Sequence, residues 1–432
     1  MNIPVSELKR VVVIGGGFAG LEFAKKLRNK RFQVILLDKH NYHTFQPLLY
    51  QVATAGLEPD SIAFPLRKTF RDYPNLLFRM AEVERIDTAR NCIHTNIGEL
   101  EFDYLVIASG SKTNFFGNSE IEAFSLPMKT IPQALNIRSA LLQNLEDALN
   151  SQDLKERQAL MSVAIVGGGP TGVELAGALA ELKAHVLPAD YPDLDVRQME
   201  IHLIEAAPKL LAAMSDEAAQ KSVEFLEKLG VKIWLDSFVK SYDGKTITTQ
   251  KGVKIESYNL IWAAGVKGNF IPGIPETSQL QNGRIAVNDI NAVLDTSNVF
   301  AIGDVAQITN HSEGKGHPML AQVAIQQGKN LAMNLERMNQ GTPTLPFQYK
   351  DPGTMATIGR NKAVVDLPSW KTQGAFAWFI WMFVHVLALV GFRNKLVVLA
   401  NWAYNYLKYA RDIRLIIRPY IKVKPEAKNP EG

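Results

Sequence analysis

A buried strand, a glycine-rich turn and a helix occur twice in this chain, about 150 residues apart, and nothing else constrains its fold as tightly. The first copy is Gly15-Gly-Gly17-Phe18-Ala19-Gly20 behind the apolar run Val11-Val-Val-Ile14. The second is Gly167-Gly-Gly169-Pro170-Thr-Gly172 behind Val163-Ala-Ile-Val166. Each predicts a parallel strand turning into a helix, over residues 21–27 and 173–182. The first glycine permits the tight turn, the second lets backbone approach a pyrophosphate, and the third allows close strand–helix packing. The phosphates then sit on N–H groups at a helix N-terminus. Two such units point to two nucleotides brought together for electron transfer.

Each copy has an acidic partner. The run Gln33-Val-Ile-Leu-Leu37 ends in Asp38, followed by Lys39, and Ile201-His-Leu-Ile204 ends in Glu205. A carboxylate there accepts hydrogen bonds from an adenosine ribose and repels a 2′-phosphate. Ala206-Ala207 after Glu205, with no arginine, favours NADH over NADPH. The plain alternative is a pair of solvated strand ends. Residues 183–199 form an insertion that lengthens the second spacing.

A chain of 432 residues implies two or three domains, and its apolar fraction of 47% is that of an ordinary globular protein. The single cysteine, Cys92, excludes a disulfide framework, a cysteine metal cluster and a dithiol redox pair. The first strand begins within ten residues, leaving no room for a signal peptide, so a cytoplasmic start is expected.

The net charge of +4 hides an asymmetry. From Arg393 onward nine Lys/Arg face three Asp/Glu, so the tail carries +6 and the remainder −2. Nothing resembles a nucleic-acid surface. Between Lys371 and Arg393 lie 21 residues without a formal charge. About 18 apolar residues would allow a membrane span. Against that, Gln373 and His385 interrupt the run, and the cations follow it directly, which opposes the positive-inside rule. A helical stripe follows at Leu396, Leu399, Ala400, Ala403, Leu407, Ala410, Ile413 and Ile417, with aromatic residues at 402, 404, 406 and 409. The pattern predicts an interfacial anchor on anionic lipid through residues 374–424. A core helix with a solvated tail is the alternative.

The remaining chain supplies parts of a flavin site. Residues 102–108 form a strand leading into Ala108-Ser109-Gly110, and 258–263 lead into Ala264-Gly265-Val266. Such small-residue turns close over a dinucleotide. Asn298-Val-Phe-Ala-Ile-Gly303-Asp304 is a strand ending in a carboxylate suited to a ribityl chain, or to capping a helix.

With these residues the chain resembles the type II, non-proton-pumping NADH:quinone oxidoreductases among the two-dinucleotide-binding-domain flavoproteins, bacterial membrane-bound type. The resemblance covers nearly the whole length. It rests on the two glycine loops and on Thr44-Phe-Gln-Pro47-Leu-Leu-Tyr50-Gln51-Val-Ala53, Trp262-Ala-Ala-Gly-Val266, Ala301-Ile-Gly-Asp304 and Ala321-Gln322-Val-Ala-Ile-Gln326-Gln-Gly328.

The resemblance implies FAD, bound non-covalently, on Gly15, Gly17 and Gly20, with Asp38 on the ribose. It implies Val83 at the adenine, Asp304 at the ribityl chain, and Pro47, Tyr50 and Gln51 beside the isoalloxazine. NADH is expected on Gly167, Gly169, Gly172 and Glu205, with Gly265 and Val266 at the nicotinamide end. Phe18, Ala19, Lys39, Ala108, Ser109, Gly110, Ala321, Pro170 and Ala264 complete the expected cofactor contacts. Glu174 matches a glutamate near nicotinamide and flavin, with a helix-dipole carboxylate as the plain alternative. Gln322 and Gln326, four apart on one helix face, match glutamines on the quinone side. No metal is implied.

The expected architecture is α/β, with two Rossmann-like dinucleotide-binding domains and C-terminal membrane-anchoring helices. Residues 1–115 and 285–345 would bind FAD, 116–284 NADH, and 346–432 would form a short sheet region and the anchor. Expected partners are NADH, a membrane quinone at the cytoplasmic face of the inner membrane, and anionic lipid, with a homodimer left open. A sulfide:quinone oxidoreductase shares this layout but needs cysteines that are missing. A soluble NAD(P)H oxidase or ferredoxin reductase would not need the tail, and a membrane-tethered NADH sensor stays open.

Overall fold

The computed structural model describes residues 1–309, 316–408 and 414–421. The chain divides into two compact units, and both glycine repeats become the same topology. In the first unit (Met1–Thr44, Ala63–Lys112, Val266–Asp351) five parallel strands lie in the order Val299–Ala301, Tyr104–Ile107, Arg10–Ile14, Gln33–Asp38, Leu76–Met80. In the second (Phe45–Ile62, Thr113–Gly265, Pro352–Gly432) the order is Leu126–Pro127, Asn259–Trp262, Val163–Val166, Ile201–Ile204, Val231–Trp234, again parallel. In each, the strand before the glycine loop is central and the acid-ending strand is its neighbour. Such strands are apolar on both faces because helices and loops cover both; Val11, Val12, Val13, Val163, Ala164 and Ile165 are all fully buried.

The compact units divide the chain differently from the sequence expectation. Residues 45–62 belong to the second unit, because the helix Leu49–Ala53 packs on the helices Ile131–Asn150 and Pro170–His185. Residues 266–284 belong to the first, where Ile271 and Ile274 join the core of Val12, Ile86 and Ile107. The Ile86 N–H donates to Pro272 O at 2.9 Å. Cys92 is buried in the strand Cys92–Thr95 of a three-stranded antiparallel sheet, a free thiol whose pKa burial raises.

Helix Ile131–Asn150 starts with a complete capping box between Thr130 and Gln133. The C-terminal part of the second unit is an antiparallel sheet, Thr354–Gly359, Lys362–Leu367 and Trp370–Gln373, followed by helices Ala375–Ala388 and Phe392–Lys408. Asn394, Val398 and Trp402 point inward, whereas Leu396, Leu399, Ala400 and Ala403 are exposed. The apolar stripe therefore faces away from the protein. On the preceding helix Phe376, Phe379, Phe383 and Leu387 form a second exposed apolar row. The stripe was expected to continue helically to Ile417. The described helix runs through Lys408, residues 409–413 lie outside the described residues, and 414–421, which holds Ile417, is irregular, with Arg414 in an ion pair with Asp190 and Tyr420 bonded through its backbone to Gln143. Ala410 and Ile413 lie outside the described residues. No helix among the described residues is long and apolar enough to cross a membrane.

A very close backbone approach helps to set the C-terminal sheet in place. Helix Pro170–His185 lies against Thr354–Gly359 at Gly177, where a Cβ would overlap the carbonyl of Ile358. The Gly177→Ala variant is expected to lose about 1–3 kcal/mol of stability, measurable as a lowered urea midpoint at constant slope.

Candidate functional site

The first glycine loop is a cradle closed on one side and open on the other. Gly15 has φ +105°, and a Cβ there would strike Ala108 O; a Cβ on Gly20 would strike Gly15 O. These two glycines are explained by packing, and Ala108-Ser109-Gly110 forms the wall they touch, tied back by Ala108 N–H to Ile14 O at 2.8 Å. Gly17 is different. Its φ is −70°, within reach of any residue, and a Cβ would meet nothing within 4 Å. It precedes helix Phe18–Lys26, which has no side-chain cap. An uncapped helix N-terminus presents N–H groups that the helix itself cannot satisfy. Empty space there, reserved by a glycine, fits a pyrophosphate.

The second loop repeats this arrangement. Gly167 (φ +114°) and Gly172 have no room for a Cβ, while Gly169 (φ −73°) faces open space before helix Pro170–His185, also without a side-chain cap. Pro170 begins that helix, where its missing N–H is no loss.

Both expected carboxylates close their loops. Asp38 accepts from the N–H of Gly16 and of His40, each at 2.7 Å. Burial raises its pKa, while these two bonds pull it back. Glu205 accepts from Gly168 N–H and, at 2.7 Å, from Ala207 N–H. Each carboxylate oxygen has a second lone pair to offer a ribose hydroxyl. Lys39 is exposed beside Asp38, and Val83 is half-buried at the start of its strand.

Elsewhere in the first unit, Asp304 lies within a 3₁₀ turn, Gly303–Val305, and does not cap it; it accepts from Ser111 Oγ at 2.5 Å. Ser109 Oγ donates to Asn269 O at 2.7 Å. Ala321 opens helix Ala321–Asn339, and Gln322 on its first turn is exposed. The Gln326 amide is engaged on both sides by the Lys350 backbone, at 2.8 and 3.0 Å. Its neighbour Gln327, which sequence reasoning passed over, is buried and accepts from Gly303 N–H at 2.7 Å. Spacing alone put 322 and 326 on one face. It did not say which face turns inward.

In the second unit, the turn Ala264–Gly265 sits among Phe116 and Trp262, whose indole N–H donates to Asn114 O at 2.9 Å. Val266 is the first residue of a first-unit segment. Helix Pro170–His185 carries Glu174 into a cleft, open to solvent, which Tyr50, Gln51, Trp378, Trp381, Trp402 and Tyr406 also line. Trp402 Nε1 donates to Gln51 Oε1 at 2.8 Å, and Gln51 Nε2 to Tyr50 Oη at 2.8 Å. Pro47 lies in the 3₁₀ turn Gln46–Leu48 just before Tyr50.

Glu174 is 7% exposed, and desolvation pushes its carboxyl up to about 8. Opposing this, Thr357 N–H donates to it at 3.4 Å. The buried Trp381 indole N–H is close enough to lower the value further without forming a hydrogen bond. The group is therefore mostly protonated at neutral pH. His385, stacked on Trp381 at 4.2 Å, bonds through Nδ1 to Trp381 O and is held neutral by burial, its pKa lowered to about 4. It is a packed side chain.

Two strand–glycine loop–helix units, each closed by a carboxylate, are the pattern of the pyridine-nucleotide flavoproteins, and residues 9–328 match the family described as pyridine nucleotide-disulphide oxidoreductase. Residues 352–412 match the NDH2 C-terminal domain. The chain is 35% identical over 417 residues to the type II NADH:quinone oxidoreductase Ndh of Mycobacterium tuberculosis, covering 93% of this chain and 89% of that one. It is 27% identical to the type II NADH:quinone oxidoreductase of Haemophilus influenzae, covering 93% and 99%. The solved structure of NDH2 from Plasmodium falciparum in complex with NADH shares the fold, with a TM-score of 0.84 at 21% identity, over 96% of this chain and all of that one. The chain belongs to the type II NADH:quinone oxidoreductases, FAD-dependent enzymes that do not pump protons.

A raised carboxyl pKa makes a prediction about stability. Between about 4.5 and 8 the folded protein retains a proton that the unfolded chain has lost, so stability falls as pH rises through that window. In Glu174→Gln that part of the fall should vanish. Melting temperatures at pH 5 and 8 for both proteins check it.

Proposed function

We propose that this chain oxidises NADH at the second cradle and passes two electrons to a membrane quinone whose headgroup enters the aromatic cleft. One observation carries the reading. Helix Pro170–His185 begins at the open Gly169 cradle and, one turn later, presents a protonated Glu174 to that cleft. A single rigid element thus joins the nucleotide end of the site to the acceptor end.

The first cradle suits FAD, with Gly15, Gly17, Gly20 and Asp38 on the phosphates and ribose and Asp304 on the ribityl chain. FAD, when bound, supplies a carrier that takes hydride from NADH and yields electrons to a quinone. The protein's own contribution is orientation. Gly167, Gly169 and Gly172 hold the pyrophosphate of NADH, Glu205 its ribose, and Ala264 and Gly265 flank the nicotinamide end. Gln322 is left as a quinone-side contact, and Gln326 as a fastener of the Lys350 backbone. Reducing a quinone takes two electrons and two protons. Hydride brings both electrons and one proton. Glu174 can donate the second to a quinone oxygen and recover it from solvent through the open cleft.

The membrane is reached through the two exposed apolar rows, Phe376–Phe379–Phe383–Leu387 and Leu396–Leu399–Ala403. Contiguous exposed apolar surface of this kind marks a lipid or protein contact. The excess of Lys/Arg in the sequence from Arg393 onward favours anionic lipid at the cytoplasmic face.

Anaerobic stopped-flow tests the whole reading: NADH should bleach the flavin and a short-chain quinone should restore it within the turnover time. Absence of reoxidation by quinone would overturn it. Glu205→Ala should raise KM for NADH roughly tenfold with a smaller change in kcat, seen in steady-state kinetics. Phe379 and Phe383 are 54% and 65% exposed, so Phe379→Asp/Phe383→Asp should fold normally. It should bind anionic vesicles at least about tenfold more weakly, measured by co-sedimentation.

A further inference from the structure

Gly16, in the first cradle, is held through both of its backbone groups. Asp38 takes the Gly16 N–H, and the imidazole Nδ1 of His43 lies 2.9 Å from Gly16 O. A carbonyl accepts, so Nδ1 carries the proton. His43 is 2% exposed, sits in the short strand Tyr42–Thr44 paired with Ala63–Pro65, and is met edge-on by Phe18. Its Nε2 is buried without a hydrogen-bond partner. An imidazole buried with one unmet nitrogen is an expensive way to fill space, so its single bond needs a purpose.

Peptide planarity supplies one. In a trans peptide the C=O of Gly16 and the N–H of Gly17 point in opposite directions. Fixing the carbonyl on His43 therefore turns the Gly17 N–H away from His43, towards the open ground before helix Phe18–Lys26. The second cradle performs the same operation differently. There Glu205 takes the Gly168 N–H, and the backbone N–H of Leu211 donates to Gly168 O at 2.8 Å. Leu211 adopts the left-handed φ of +50° to present it. Two unrelated donors meet the equivalent carbonyl, which indicates that its direction matters in both loops.

We infer that His43 is a positioning residue for the dinucleotide of the first cradle, acting through the Gly16 carbonyl to aim the Gly17 N–H at the pyrophosphate. The inference rests on the assignment of FAD to that cradle.

The test is FAD titration of the full-length, flavin-stripped protein, followed by quenching of flavin fluorescence. Wild type failing to rebind FAD would count against the FAD assignment itself. With wild type binding, His43→Ala should raise the Kd for FAD roughly tenfold, and His43→Asn should recover to within about threefold of wild type, because its amide nitrogen can occupy the place of Nδ1. His43→Gln, whose amide falls nearer the place of Nε2, should not recover. KM for NADH at saturating FAD should be unchanged in all three. Wild-type affinity in His43→Ala, or equal affinities in the Asn and Gln variants, would overturn the inference. Should His43→Ala not fold, the Asn and Gln pair decides alone.

Discussion

Both glycine loops depend on backbone touching backbone. Gly20 against the Gly15 carbonyl, and Gly172 against that of Gly167, bring each helix start so close to its strand that a single methyl group would not fit. That approach delivers a helix N-terminus to the end of a sheet strand, and the acid of the neighbouring strand follows from the parallel register, in which Ile14 is opposite Leu37 and Val166 opposite Ile204. Replace either contact and the cradle, the carboxylate and the open space beside the middle glycine shift together.

Much of this was legible because glycine and strand patterns are local. A φ beyond +100° at Gly15 and Gly167 admits almost nothing else, and continuous apolar runs announce strands buried on both faces. The acids at 38 and 205 followed from the same geometry. Properties set by packing were less legible. Gln327 and Gln326 are adjacent in sequence, yet one turns into the core and the other out to Lys350. His43, Trp381 and Ser111 act on groups far away in the chain or on the opposite face of a loop, and no spacing rule marks them. The irregular course of 414–421 was missed because the apolar period continues through Ile417 where the backbone is no longer helical.

Glu174 owes its protonation state to two neighbouring elements. Its helix is placed by Gly177, which lets the C-terminal sheet approach, and the same sheet offers Thr357 N–H to the carboxyl. Burial dominates, so the acid keeps its proton. A carboxyl that is neutral in the resting protein suits an aromatic cleft, since a charged one would hold water among the rings.

The single cysteine has a consequence for where such an enzyme can work. Many flavoproteins of this class expose a reactive thiol pair to their substrate, and oxidants reach the same sulfurs. Here Cys92 is buried in a strand with its thiol shifted toward the protonated form. With one cysteine in the chain there is no thiol pair for a disulfide to capture. A buried thiol that keeps its proton is a poor nucleophile, so oxidising or reducing surroundings leave the folded chain covalently unchanged at Cys92.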